Sequence, residues 1–200
     1  ISFRFVRETA DKVQVRIGSK STESIITMDK KHLRPSLRTL SGVKHMDLTG
    51  ETEYVIVNID ALEPEQWAIA GFTDMYRLRR AIRDVRDAYK DKSTNILIAR
   101  RGARLTSRNL YWLTFYSDQP LLSTAVLINV GIKNNVLRDP SNPTRVLKAL
   151  TLYLNSTITL LQLLGYYIET EGAWGDLHAG LVWSNVIVPN FDRIDSEDLN

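Results

Sequence analysis

The feature that most constrains this chain is one long apolar helical stretch, running from about 143 to 164. It opens at Ser141-Asn142-Pro143, where a capping side chain precedes a proline suited to a first helical turn. Val146, Leu147, Leu150, Leu154, Ile158, Leu161 and Leu164 then recur at helical spacing. Gly165 follows, a residue that ends helices in the left-handed conformation. A face this broad needs a cover. Spanning a membrane takes ~20 mostly apolar residues, and Thr151, Asn155, Ser156, Thr157, Thr159 and Gln162 interrupt the run. The stretch therefore reads as a buried core helix with no membrane partner, and the remaining chain must supply a sheet to cover it.

Period-two patterns supply that sheet. Phe3 and Phe5 alternate with Arg4, and Val13, Val15 and Ile17 alternate with Gln14 and Arg16. Glu8-Thr9-Ala10-Asp11 fits a turn between two antiparallel strands. Ser24–Met28, Tyr54–Ile59, Asn95–Ala99, Tyr111–Tyr116, Thr124–Val130 and Leu181–Pro189 read as further strands. Asp29–Asp47 is polar, with Pro35 and Gly42, and reads mostly as loop with one short helix. Between the strands lies an amphipathic helix, about 74–90, whose stripe is Met75, Leu78, Ile82, Val85 and Tyr89. Thr73 or Asp74 can cap it, and Arg80–Asp84 and Arg83–Asp87 can pair one turn apart. The expected class is α+β, with a mixed, mainly antiparallel sheet, in a single domain spanning 1–200. Residues 190–200 form an acidic tail, and a start at Ile1 with no signal-like leader reads as a piece of a longer chain.

Composition narrows the chemistry. The chain has no cysteine, so disulfides, thiolate metal sites and a cysteine nucleophile are excluded, and a cytoplasmic setting suits it. His178 beside Asp176, Glu169 and Glu171 is a poor metal site. Glycine-rich phosphate loops, a nucleophile elbow and a His-Glu-x-x-His helix are all missing from the sequence. Asp60, Glu63 and Glu65 leave open a Mg²⁺-dependent nuclease, although no strand-borne acid-x-lysine accompanies them.

The net charge of +3 matters less than its placement. Residues 1–50 hold ten Lys/Arg against five Asp/Glu, whereas residues 110–200 hold five against nine. Arg100, Arg101, Arg104 and Arg108 fall within ten residues that contain no acid. Thr106, Ser107 and Asn109 add neutral donors to that segment. Guanidinium forks suit phosphate oxygens and the guanine edge, so the segment reads as a duplex-DNA contact. Lys30, Lys31, Arg34 and Arg38 form a second basic group, and Trp174 is a candidate stacking residue. A protein-interaction domain docking through helix 143–164 is the other class of function these features allow.

The order of these pieces resembles a known family. Leu154-Asn155-Ser156 on a long helix, then Glu171-Gly172-Ala173-Trp174-Gly175, then Leu181-Val-Trp-Ser-Asn-Val-Ile-Val188-Pro189 is similar to the target-recognition region of N6-adenine DNA methyltransferases and of type I restriction specificity subunits. Asp29–Arg38, with Lys30-Lys-His-Leu-Arg-Pro-Ser-Leu37, looks like that family's entry segment. The resemblance implies a DNA-reading part of a restriction–modification enzyme, not catalytic by itself. Asp139-Pro140-Ser141 and Asn142-Pro143-Thr144 are not the family's Asn-Pro-Pro-Tyr catalytic loop. S-adenosylmethionine is thus expected in a separate catalytic domain of the parent or in a partner subunit, with no cofactor in this fragment.

Overall fold

A computed structural model of the chain describes residues 4–17, 24–40, 43–50, 53–58, 62–69, 73–100, 113–132, 143–166, 168–170, 174–191 and 194. The fold is α+β with mainly antiparallel sheets, as the periodicities imply. Contacts gather it into two compact units, Ile1–Arg38 with Glu51–Ser93, and Thr39–Gly50 with Thr94–Asn200.

In the first unit, β1 (Arg4–Glu8), β2 (Lys12–Ile17) and β3 (Ser24–Asp29) form an antiparallel meander in chain order. The turn closes where the Thr9 N–H donates to the Lys12 carbonyl at 2.9 Å. Val13, Val15 and Ile17 point inward from β2, and Val13 and Val15 sit opposite Met28 and Ile26. A 3-10 turn, Lys30–His32, leads into β4 (Leu33–Leu37), which pairs antiparallel with β5 (Glu53–Ile56). The sequence reads β4 as loop because Pro35 lacks a ladder N–H and the lysines before it are polar. Burial of Leu33, Pro35, Ser36 and Leu37 overrides that local preference.

Two helices complete this unit. The short α1 (Pro64–Ile69) starts on a proline and buries Trp67, which is 2% exposed. The longer α2 (Met75–Lys92) is capped by Asp74, whose Oδ1 accepts from the N–H groups of Tyr76 at 2.8 Å and Arg77 at 3.4 Å. Leu78 and Ile82 lie in the core with Trp67, Leu62, Ile56 and the inward face of the meander.

In the second unit, β6 (Thr94–Ala99) runs antiparallel to both β7 (Thr114–Ser123) and β8 (Leu127–Val130). An isolated parallel bridge joins Asp47 to Tyr116. Ile96, Leu97 and Ile98 are all buried, the pattern of a strand covered on both faces. Over it packs α3 (Thr144–Leu154), through Leu147 and Leu154 against Ile96, Ile98 and Tyr116. The next helix, α4 (Thr157–Tyr166), buries Leu163 against Leu113, Leu177 and Val182.

The helix expected over 143–164 is thus two helices, bent by 61°. The cause lies at Asn155-Ser156. The Asn155 Oδ1 accepts from the N–H groups of Leu113 at 2.7 Å and Thr114 at 3.0 Å, while its Nδ2 donates to the Thr114 carbonyl at 2.8 Å. Ser156 Oγ then accepts from the Thr159 N–H at 3.4 Å, the position of an N-cap. The side chains that interrupt the apolar run in the sequence are the ones that break the helix. Nor is the whole stretch buried: Ile158, Leu161 and Leu164 of α4 are 59%, 64% and 51% exposed. Gly165 stays within α4, and the positive φ among the described residues falls at Gly50.

The strand expected at Leu181–Pro189 is a different structure. Residues 179–182 turn, Trp183–Asn185 form a 3-10 helix and 186–190 are irregular. Ser184 Oγ donates to the Gly180 carbonyl and Asn185 Nδ2 to the Leu181 carbonyl, at 2.9 and 2.8 Å. Such local bonds favour a turn over a ladder. Just past α4, β9 (Ile168–Thr170) and β10 (Trp174–Asp176) form a small antiparallel pair. Among the described residues, no single helix is long and apolar enough to cross a membrane.

Candidate nucleic-acid interface

The first unit carries a groove of about 680 Å³ beside α2. Six cations line it: Lys31, Arg34, Arg79, Arg80, Arg83 and Arg86, and among the described residues no carboxylate does. Val57 and Ile82 contribute apolar lining, with Asn58 and Tyr76 completing it. One wall is α2. The other comes from the 3-10 turn, the start of β4 and the chain just past β5.

The helix geometry explains the alignment. At 3.6 residues per turn, Arg79, Arg83 and Arg86 fall on one face. The 1.5 Å rise puts Arg83 about 6 Å and Arg86 about 10 Å from Arg79 along the axis. This face is adjacent to the stripe of Leu78 and Ile82 that anchors the helix in the core, so packing fixes where the arginines point.

The arrangement works against helix stability. The sequence of α2 holds seven Lys/Arg against three Asp. Arg77 sits in the first turn, where the helix dipole disfavours cations, and lies 3.5 Å from the capping Asp74. Arg79 and Arg83 are a like-charge pair one turn apart, a spacing that costs a few tenths of a kcal/mol. Compensation is thin. Arg80 lies 4.0 Å from Asp84 and Arg86 lies 3.9 Å from Asp87, both pairs well exposed, and exposed pairs of this kind contribute little. The Arg83–Asp87 pair expected from the spacing is replaced by Arg86–Asp87.

The opposite wall is more firmly held. Arg34 Nη1 donates to the carbonyls of Leu33 at 2.7 Å and Lys31 at 3.1 Å, which fixes its guanidinium at the groove. Its charge is felt at Tyr89: burial pushes that phenol up, opposed by Arg34 and by a hydrogen bond with Ser93. Lys31 Nζ lies 3.4 Å from Asp29 in an exposed pair.

The residues expected from the sequence divide between places. Lys31 and Arg34 reach the groove. Lys30 forms an ion pair with Glu8, and the same carboxylate accepts from the Tyr54 hydroxyl at 3.1 Å. Burial, that hydrogen bond and the Glu8 charge together push the Tyr54 phenol up to about 12. Lys30 is therefore held away from the groove lining. Arg38 is exposed at the end of β4, where its N–H donates to Glu53 Oε2 at 3.0 Å, and it does not line the groove either. Arg100 follows β6 in the second unit. Its N–H donates to the Val126 carbonyl at 3.1 Å, and its carbonyl accepts from the Leu177 N–H at 2.9 Å. Arg101, Arg104, Thr106, Ser107, Arg108 and Asn109 lie outside the described residues. For Trp174 only the backbone is described, paired with Thr170.

Arg79, Arg80, Arg83, Arg86 and Tyr76 were not legible as a site. Their signal was the surplus of arginine on one helical face, which the possible i,i+4 pairs with Asp84 and Asp87 concealed. Of the remaining acid–base candidates, His178 Nδ1 accepts from the Gly180 N–H at 3.2 Å. Glu63 caps α1 in part, its N–H donating to Gln66 Oε1 at 2.9 Å, and Asp60 lies outside the described residues. No group of three His, Asp or Glu able to hold a metal ion occurs among the described residues. Scans against family models, curated proteins and solved structures each found no match to this chain.

Proposed function

We propose that this chain binds nucleic acid, as the duplex-DNA-reading part of an N6-adenine DNA methyltransferase of the restriction–modification type. One observation carries the binding reading: among the described residues, six cations and no carboxylate line one groove of the first unit. The acid-free run Arg100–Asn109 and the resemblance through Leu154-Asn155-Ser156 support it from the sequence side. In this reading the groove grips backbone phosphates, while base edges are read elsewhere. Methyl transfer and S-adenosylmethionine belong to a catalytic domain of the parent or a partner subunit, in the cytoplasm. A second reading, a protein-interaction module, draws on the exposed Ile158, Leu161 and Leu164 of α4. Concentration-dependent self-association or partner capture with no affinity for DNA favours that second reading.

The test is fluorescence anisotropy with a labelled duplex over a series of salt concentrations, using wild type and Arg79→Glu/Arg83→Glu. Both residues are exposed, so the variant should fold, which circular dichroism checks. The wild-type log–log slope should be about −0.9 per neutralised phosphate. The double variant should lose at least tenfold in affinity at low salt, and its slope should shrink by about 2. Equal affinity and slope in the two proteins would overturn the reading.

A further inference from the structure

The groove beside α2 differs from a simple phosphate clamp in what lies between its cations. Duplex DNA presents phosphates and sugars outward and keeps the faces of its bases stacked inside. A surface built only for the duplex backbone gains nothing from an apolar floor. Here Ile82, which is 5% exposed, and Val57 line the groove together with the arginines of α2 and with Lys31 and Arg34. Tyr76, at the N-terminal end of the same helix, is 74% exposed and lines the groove as well. An aromatic ring left this far in water gives up the burial that such side chains normally seek. Its neighbours in the groove are guanidinium groups, which also stack on flat π-surfaces.

We infer that this groove holds an unpaired stretch of nucleic acid, one strand whose base stacks on Tyr76 while its phosphates lie between the two cationic walls. The inference rests on the nucleic-acid-binding reading above and adds the state of the strand to it. A charged groove that tracks a backbone, combined with an aromatic platform, is the general solution for single strands, because every base has a π-face. The volume of about 680 Å³ falls in the range of sites that enclose a small organic group, which is room for a nucleotide unit. Arg79, Arg83 and Arg86 extend about 10 Å along α2, so they can meet successive phosphates of one strand. A row of that length is more than a single mononucleotide would use.

The experiment compares an oligo-dT single strand with a duplex of equal length by fluorescence anisotropy. It uses wild type, Tyr76→Ala and Arg79→Glu/Arg83→Glu, with inorganic polyphosphate and a nucleoside triphosphate as competitors. Loss of the stacking contact should weaken single-strand binding by about 5- to 150-fold. Duplex and polyphosphate affinity should stay within twofold in Tyr76→Ala, and the arginine variant should weaken all three. The inference is overturned if Tyr76→Ala leaves the single strand within twofold of wild type. It is overturned equally if that variant weakens duplex and single strand alike, or if the triphosphate competes as well per phosphate as the oligonucleotide. If the arginine variant changes none of the affinities, the nucleic-acid reading itself falls. Tyr76 is exposed and outside the core, so thermal unfolding of Tyr76→Ala should match wild type.

Discussion

Two helical regions of this protein solve the same problem in opposite ways. Both α2 and the α3–α4 pair bury one side, Leu78 and Ile82 on the first and Leu147, Thr151, Leu154, Thr159 and Leu163 on the second, and both leave the other side in water. On α2 the outer side is arginine; on α4 it is Ile158, Leu161 and Leu164. The buried stripes follow from the fold and would look alike in proteins of unrelated function. The exposed faces do not follow from the fold. On α2 the face costs stability through like charges one turn apart. Local rules broken on a well-anchored helix point to selection for something other than stability.

The ends of the helices sharpen the contrast. Asn155 stops α3 by spending its whole side chain on β7 and the last turn of α3. Leu113 is 6% exposed and Thr114 is fully buried, so their N–H groups have no water to replace the Asn155 oxygen. Asn155→Ala should therefore show the largest effect, about 1–3 kcal/mol for each orphaned N–H. Denaturant unfolding measures it. A loss under ~0.5 kcal/mol would mean that the break between α3 and α4 is set by packing alone.

Capping of α2 should matter less. Asp74 accepts two N–H bonds but stands in water, half exposed on its side chain. Asp74→Ala should cost about 1 kcal/mol, within the 0.5–2 kcal/mol range of helix caps. It also removes a carboxylate that lies 3.5 Å from Arg77. If the loss exceeds that of Asn155→Ala, the two helix ends have been ranked wrongly.

What the residues disclosed and what they hid follow one rule. Strands with period-two burial, such as Val13-Val15-Ile17, and the buried Leu78 and Ile82 of α2 were legible because their partners are implied by the pattern itself. The interruption at Asn155-Ser156 was visible, but it served to argue against a membrane span. Its role as a break needs Leu113 and Thr114, some forty positions away. The groove was hidden for a similar reason. Lys31 and Arg34 were legible as a basic group and Arg79 to Arg86 as a helix surface. Only the pairing of β4 with β5 sets them around one space, and Pro35 disguised β4 as loop. Charges on a helix also read as paired whenever an aspartate lies one turn away. Whether the pair forms, and whether it matters once both partners are in water, is a question of geometry and solvent.

The smallest predicted effect bears most directly on the comparison. If the arginine face of α2 is held against stability, neutralising part of it should make the protein more stable. Arg79→Ala/Arg83→Ala removes the like-charge pair. It also substitutes the best helix former at two exposed positions. Each term is worth a few tenths of a kcal/mol, so the double variant should gain about 0.5 kcal/mol, read as a higher midpoint in denaturant with an unchanged slope. The same variant should bind the labelled duplex more weakly, with a shallower dependence on salt. The gain should fade as salt is added, because exposed charges are screened over about 10 Å at 0.1 M. The corresponding change on the other side, Leu161→Ala on α4, alters no charge and should leave stability, and the salt dependence of stability, within ~0.5 kcal/mol of wild type. A double arginine variant that loses stability would show that those side chains pack against the fold through their stems, and the two outer faces would then differ in composition but not in purpose.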